Sequence, residues 1–306
     1  MSEAARTPIA IIGFGEVGTL LARGFRELGH SVAVYDILLD HPDTAATLKV
    51  KAREMGARAA SDVADAARGA RIVISAVTAA SSTDVARLAG AALAGDQFFL
   101  DLNSVSPRTK RVNADAVQQR GAHYVEAAVM APILPAGMRT PMLLGGEAAA
   151  ALRELLAPAG MQMNVVGTDI GRASAIKMCR SIMVKGLEAL TVECFLTARM
   201  YGVEDDVLAS LDASHPQMQW DQLAGYLVER VVRHGRRRAA EMRESAVTVG
   251  EAGLAPLMAT AIAERQDAVA DLVARDASLK ELDAGDWRAV LDALAGRAEL
   301  RSMRSA

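Results

Sequence analysis

The sequence lacks a dominant charge, a cysteine framework and any apolar run long enough to cross a membrane. Its 306 residues carry 34 lysines and arginines against 37 aspartates and glutamates, a net charge of −3. That balance implies no general affinity for nucleic acid or another polyanion. The one conspicuous basic run, Arg233 to Arg238, is local. There are two cysteines, Cys179 and Cys194. Both fall in a helical, apolar segment, so they are expected to be buried, reduced thiols in a reducing cytoplasm. No apolar stretch reaches the length of a membrane span. No cationic leader with an apolar core and cleavage site opens the chain; the run from Pro8 to Phe14 is too short and leads into glycines. No internal repeat is apparent. The length suffices for two domains and a large core.

What is present begins at residue 9. A short apolar run, Ile9-Ala-Ile-Ile12, ends in Gly13-Phe-Gly-Glu-Val-Gly18, and a helical pattern follows from Thr19 to Leu28. In this order G-x-G-x-x-G is a dinucleotide-binding signature. Gly13 allows the tight turn, Gly15 lets the backbone approach a pyrophosphate, and Gly18 lets the helix pack on its strand. Free amides around Glu16 and Val17 at the helix start can hold phosphate oxygens. A second apolar run, Ser31-Val-Ala-Val-Tyr35, ends in Asp36, where an acid would accept hydrogen bonds from an adenosine ribose. Asp36 would repel a 2′-phosphate, and no cation follows it before Lys49. The pattern therefore favours NAD over NADP.

Apolar runs recur at 9–12, 31–35, 71–77, 97–102, 122–129, 140–145 and 161–166. Most gaps between them carry alanine-rich stretches of helical period, such as Asp84 to Leu93 and Thr109 to Gln119, with Pro107 suited to a first helical turn. This alternation predicts an α/β fold, a Rossmann-type doubly wound and mostly parallel sheet over 1–167. Beyond Gly167 the strand signals stop, and 168–306 reads as an all-helical substrate and dimerisation domain. Its first helix is expected over 168–200, with Thr168 or Asp169 as N-cap. Breaks are expected at Gly202, His215-Pro216, Gly235, Gly250, Gly253 and Gly285. The polar tail from Arg297 to Ala306 is expected to be disordered.

The helix after the boundary, Ala173 to Glu188, is apolar on most faces and reads as buried. It carries Lys177, with Ser181, Lys185 and Glu188 on the same stripe. A lysine in such a helix is usually paired, snorkelling or functional. Two readings stand: a polar site facing the cofactor, or a salt-bridged buried helix, Lys185 with Glu188 for instance.

With these motifs the chain resembles the β-hydroxyacid dehydrogenase family, which includes 3-hydroxyisobutyrate dehydrogenases and is related to 6-phosphogluconate dehydrogenase. The stretches Lys177-Met-Cys-Arg-Ser-Ile-Met-Val-Lys-Gly-Leu-Glu-Ala-Leu190 and His234-Gly-Arg-Arg-Arg-Ala-Ala-Glu-Met242 resemble a branch with an uncharacterised phosphogluconate-dehydrogenase-like C-terminal domain. The resemblance implies that Gly13, Phe14, Gly15, Glu16, Val17 and Asp36 hold the dinucleotide and that Val77 and Thr78 line its adenosine side. Ser104, in Asp101-Leu-Asn-Ser-Val-Ser-Pro107, would meet the nicotinamide ribose, and Lys177 matches the family's catalytic lysine. Hydride transfer between NAD and a secondary alcohol is implied, with Lys177 as general base and alkoxide stabiliser. Burial and the neighbouring Lys185 are expected to disfavour its charged form.

The departures are as informative. The family's D-A-P-V-S-G-G substrate loop becomes Glu126-Ala-Ala-Val-Met-Ala-Pro132, so Met130, Ala131 and Pro132 replace the serine and glycines, and proline offers no amide hydrogen. The usual asparagine four residues after the lysine is Ser181. The acid that 6-phosphogluconate dehydrogenase carries seven residues after its lysine is Val184, which argues against decarboxylation. The family's Lys-Asp-Leu aligns with Ala240-Glu-Met242, leaving Arg237 or Arg238 as substitutes. Met130, Pro132, Ser181, Lys185 and Arg237 are the candidate substrate residues, in a cleft between the domains. Val129, Met130, Ile133, Leu134 and Met138 suggest an apolar pocket for a bulky or aromatic 3-hydroxy acid. His215 and Trp220 are candidates to border it, or else a helix break and a packed core aromatic. The alternatives are an imine reductase, against which Lys177 counts, and a non-catalytic dinucleotide-binding protein. Family members usually pair through the helical domain, which implies a homodimer. No metal site is implied.

Overall fold

The computed structural model describes residues 7–282 and 286–296. Gly285 and the tail from Arg297 onward lie outside them. The chain divides into two compact units, one ending at Lys177 and the other starting at Met178.

The first unit alternates β1 (Ile9–Ile12), α1 (Glu16–Glu27), β2 (Val32–Tyr35), α2 (Pro42–Glu54), β3 (Arg58–Ala59), α3 (Val63–Ala67), β4 (Ile72–Ser75), α4 (Ser82–Ala92), β5 (Phe98–Asp101), α5 (Pro107–Gln118), β6 (His123–Val129), α6 (Ile133–Ala136), β7 (Met142–Gly145), α7 (Ala149–Leu156) and β8 (Met163–Gly167). The strands form one sheet in the order β3-β2-β1-β4-β5-β6-β7-β8. All neighbours are parallel except β6 and β7. Each predicted apolar run holds a strand. The two-residue β3 at the edge has no apolar run to announce it.

Strands covered on both faces read as unbroken apolar runs, and the period of two divides their side chains. Ile9, Ile11, Ile72 and Ile74 pack with Leu21 and Phe25 of α1. Ala10, Ile12 and Val73 pack on the other face with Ala86 and Ala89 of α4 and Val117 of α5. Helices thus cover both faces. The chain turns from β1 toward β2 on one side and toward β4 on the other, which places a topological switch point between β1 and β4.

The remaining helices are α8 (Arg172–Tyr201), α9 (Glu204–Ser214), α10 (Trp220–Glu251), α11 (Leu257–Arg275) and α12 (Trp287–Ala295). α8 begins at Arg172, not at 168 or 169, so Thr168 and Asp169 are not its caps. Gly167 and Gly171 hold φ of 151° and 101°, a backbone that interrupts a helix and favours glycine. α10 runs without a break through Gly235 and Gly250. A Cβ on Gly235 would stand 2.7 Å from the Gln266 carbonyl of α11, so this glycine marks a close helix crossing. The second unit's core gathers Val192 and Phe195 of α8, Val228 and Val231 of α10, Val269 and Leu272 of α11, and Trp287 and Leu291 of α12. Trp220 packs against that core half-buried, and His215 is exposed where α9 ends.

The cysteines are free, but both are exposed, against the expectation of burial. α8 has a buried and an exposed face, and Cys179, Met183, Leu190 and Cys194 share the exposed one. The apolar composition of that face concealed the division.

Candidate functional site

Gly13 to Val17, Asp36, Val77, Thr78 and Ser104 lie just past the C-terminal ends of β1, β2, β4 and β5, which are neighbours in the sheet. Gly13 has φ of 94° and lies so near the Ala76 carbonyl that a Cβ would overlap it. A Cβ on Gly18 would overlap the Gly13 carbonyl, whereas one on Gly15 would meet nothing within 4 Å. Gly15 precedes α1 and supplies no side-chain cap. The amides at the start of α1 therefore face an open cradle, the setting in which a helix N-terminus binds phosphate. Phe14 N donates to Asp36 Oδ2 at 2.7 Å, and Leu38 N to Asp36 Oδ1 at 3.0 Å. These residues fit a dinucleotide: open room at Gly15, unclaimed amides beyond it, and an acid just past β2. One feature escaped the sequence reading. Lys51 reaches back from α2, its Nζ 3.2 Å from the Phe14 carbonyl and 4.5 Å from the ring centroid.

On the other side of the switch point, Val77 N donates to Asn103 Oδ1 at 2.8 Å. Asn103 Nδ2 donates to Ser75 Oγ at 2.9 Å and Ser82 Oγ at 3.2 Å. The half-buried Ser104 follows, and its Oγ accepts a hydrogen bond from Lys177 Nζ. Ser174 Oγ, one turn before Lys177, donates to the Val105 carbonyl. The loop after β5 is thus held from β4, α4 and α8.

Beneath it lies a dry charge cluster. Lys110 and Asp101 are 1% and 0% exposed and pair at 3.0 Å. Lys110 Nζ also donates to the Asp101 carbonyl at 2.9 Å. Tyr124 Oη and Asn113 Nδ2 donate to Asp101 Oδ2 at 2.7 and 3.1 Å. Burial and the Asp101 charge raise the Tyr124 phenol well above its ordinary range, so it stays a donor. Glu126, also buried, accepts from Gly171 N at 2.7 Å, Ala173 N at 3.0 Å and Ser174 N at 3.3 Å. Burial pushes its carboxyl up, and Lys110 and the three amides pull it back. Sequence reasoning gave no role to Asn103, Lys110, Asn113, Tyr124 or Glu126. Only Tyr124 and Glu126 gave an advance signal, as polar groups inside the apolar run at 122–129; Asn103, Lys110 and Asn113 lie outside such runs and gave none.

The substrate-loop candidates separate. Met130 is half-buried, with its amide bonded to the Pro141 carbonyl at 2.9 Å. Pro132 is exposed, and so is Leu134 at 67%. Ile133 is buried, and Val129 packs against the core. Met138 fills the space beside Gly24 of α1, where a Cβ would overlap its sulfur. The expected apolar crowding therefore narrows to Met130 and Leu134, because the others are spent on packing.

In the second unit, Lys185 Nζ donates to Ser181 Oγ at 3.1 Å and pairs with Glu241 at 2.8 Å. Arg237 shares Glu241 at 2.6 Å. Glu188 pairs with the buried Arg238 at 2.8 Å and not with Lys185; Gln266 Nε2 donates to it at 3.1 Å. The basic run is salt-bridged in mid-helix, with Arg233 on Glu229 and Arg236 on Asp267 and Asp271. Among the described residues, no group of three or more His, Cys, Asp or Glu is placed to hold a metal ion. No helix among them is long and apolar enough to cross a membrane.

The family described as the NAD-binding domain of 6-phosphogluconate dehydrogenase matches residues 8–167, more than half of the chain. An uncharacterised 28.5 kDa protein of Methanothermus fervidus is 30% identical over 250 residues, covering 82% of this chain and 94% of the relative. The 3-hydroxyisobutyrate dehydrogenase of Pseudomonas aeruginosa is 27% identical over 212 residues, covering 67% of this chain and 68% of the relative. The chain belongs to the 3-hydroxyacid dehydrogenase-like family. The crystal structure of a conserved hypothetical protein from Sinorhizobium meliloti is 36% identical and has a TM-score of 0.79, covering 96% of this chain and 97% of that one. A domain of unknown function matches residues 198–269, all in the helical unit. The family's first module thus coincides with the sheet that gathers the glycine loop, Asp36 and Ser104.

Proposed function

We propose that this chain is an NAD-dependent dehydrogenase acting on the secondary alcohol of a 3-hydroxy acid or a related bulky hydroxy substrate. The observation that carries the reading is the meeting of Lys177 Nζ and Ser104 Oγ, on the loop beside the dinucleotide cradle. The dinucleotide, when bound, supplies the hydride-accepting ring. Gly13 to Val17 and Asp36 hold it, with Val77 and Thr78 along its adenosine side and Ser104 at its nicotinamide ribose. Lys177 takes the hydroxyl proton onto Nζ and stabilises the oxygen that loses it. Ser104 Oγ orients that amine. Met130 and Pro132 replace the hydroxyl and amides of the family's substrate loop, so that side of the substrate meets an apolar surface. Two free, exposed thiols suit a reducing cytoplasm, and the apolar outer face of α8 suits pairing of two copies.

A panel of 3-hydroxy acids of increasing bulk, with NAD reduction followed by absorbance, tests the reading. Lys177→Met should lower turnover by roughly 10²–10⁴ and leave NAD affinity nearly intact. NAD binding without reduction by any member of the panel would favour a non-catalytic dinucleotide-binding protein.

A further inference from the structure

The start of α8 is built on Glu126. It sits beside Asp101 in the register of β5 and β6 and opposite Gly145 of β7. A Cβ on Gly145 would stand 2.5 Å from Glu126 Oε1, so the volume given up by that glycine houses the carboxylate. Oε1 receives Gly171 N and Ala173 N, and Oε2 receives Ser174 N. A carboxylate at this end of a helix matches its dipole, and removing it would strand amides in the interior. Lys110 supplies the opposing charge. From this first turn two side chains reach the loop after β5: Ser174 to the Val105 carbonyl and Lys177 to Ser104 Oγ.

We propose that Glu126 is the positioning residue that anchors the first turn of α8 and so holds Lys177 Nζ against Ser104 Oγ. The inference rests on the reading of Lys177 as the working base, because a displacement of about 1 Å at a reacting group can cost roughly 10²-fold in rate. It also predicts behaviour that needs no turnover.

Glu126→Gln keeps the size but places an amide NH2 donor against backbone donors. Amide hydrogen exchange over 171–177 should rise by about tenfold, while β1 and β4 keep their protection. Acetic anhydride should label Lys177 several-fold faster relative to exposed Lys49. Turnover should fall by about 10–100-fold with NAD affinity within about twofold. Lys110→Met is the second variant. The charged and titratable groups around Glu126 are Lys110 and Tyr124, which feel its charge, and Asp101 beside it in the register, with Arg111 next to Gly171. Without the ammonium, Glu126 should take up a proton more readily, so protection of 171–174 should fall toward low pH relative to the unmodified chain. Unchanged exchange and labelling in both variants would overturn the proposal, as would a loss of protection spread evenly over the first unit. Local exchange and faster labelling in a chain that never reduces NAD would uphold the anchoring and defeat the dehydrogenase reading instead. If Glu126→Gln does not fold, Glu126→Asp, which keeps the charge but shortens its reach to the α8 amides, decides by the same exchange and labelling.

Discussion

Asp36 receives the Phe14 amide at 2.7 Å, so the acid just past the second strand and the glycine loop are joined by the chain itself. Each carboxylate oxygen retains a second lone pair, and the charge disfavours a 2′-phosphate. Lys51 complicates the charge balance from the other side of Phe14, a cation that the linear spacing after Asp36 placed too far on to count. NAD should still bind more tightly than NADP by calorimetry. Asp36→Ala with Ile37→Arg should narrow or reverse that preference, by about tenfold or more in the ratio of affinities. Tighter binding of NADP by the unmodified chain would show that Lys51 outweighs Asp36. At this scale the legible residues were those in short motifs. Local spacing and family resemblance singled out Gly13, Asp36, Ser104 and Lys177, which the structure places at the ends of β1, β2 and β5 and on the first turns of α8. They did not single out Glu126 and Lys110, whose partners arrive only through the sheet register and the return of α8.

Two glycines of α10 have opposite meanings that the sequence does not separate. Both read as helix breaks, and both are helical. Gly235 lies against α11, where a Cβ would meet the Gln266 carbonyl at 2.7 Å and Ala270 Cβ at 3.2 Å. Gly250 is exposed, and a Cβ there would meet nothing within 4 Å. Gly235→Ala should destabilise by about 1–3 kcal/mol through overpacking. Gly250→Ala should stabilise by about 0.5–1 kcal/mol, because alanine loses less backbone entropy. Chemical denaturation of the two variants checks both; equal effects would mean that the helix crossing relaxes freely. The strands were more legible than the helix ends, since two-sided burial writes apolar runs into the sequence. The start of α8 was misplaced because its cap is a carboxylate from β6, with no neighbour in sequence to reveal it.

At the scale of the whole molecule, α8 presents Met183 at 67%, Leu190 at 56% and Tyr201 at 79% exposure. Side chains of this kind at helical spacing suit a partner surface. Light scattering at micromolar concentration should give about twice the 32.2 kDa chain mass, and Met183→Glu with Leu190→Glu should shift it toward the single chain. A monomer without the substitutions would refute the pairing. The resemblance implied pairing through the helical half, but not which helix face would carry it.

The two thiols on that helix have a further consequence. Cys179 and Cys194 are fifteen residues apart on α8, about 22 Å along its axis. A disulfide needs Cα atoms within about 7 Å. While α8 is intact, the chain cannot close a bridge on itself, so any disulfide it forms must be to something else. Mild oxidation would then act as a census of encounters, and each doubled band on a non-reducing gel would record two molecules caught side by side.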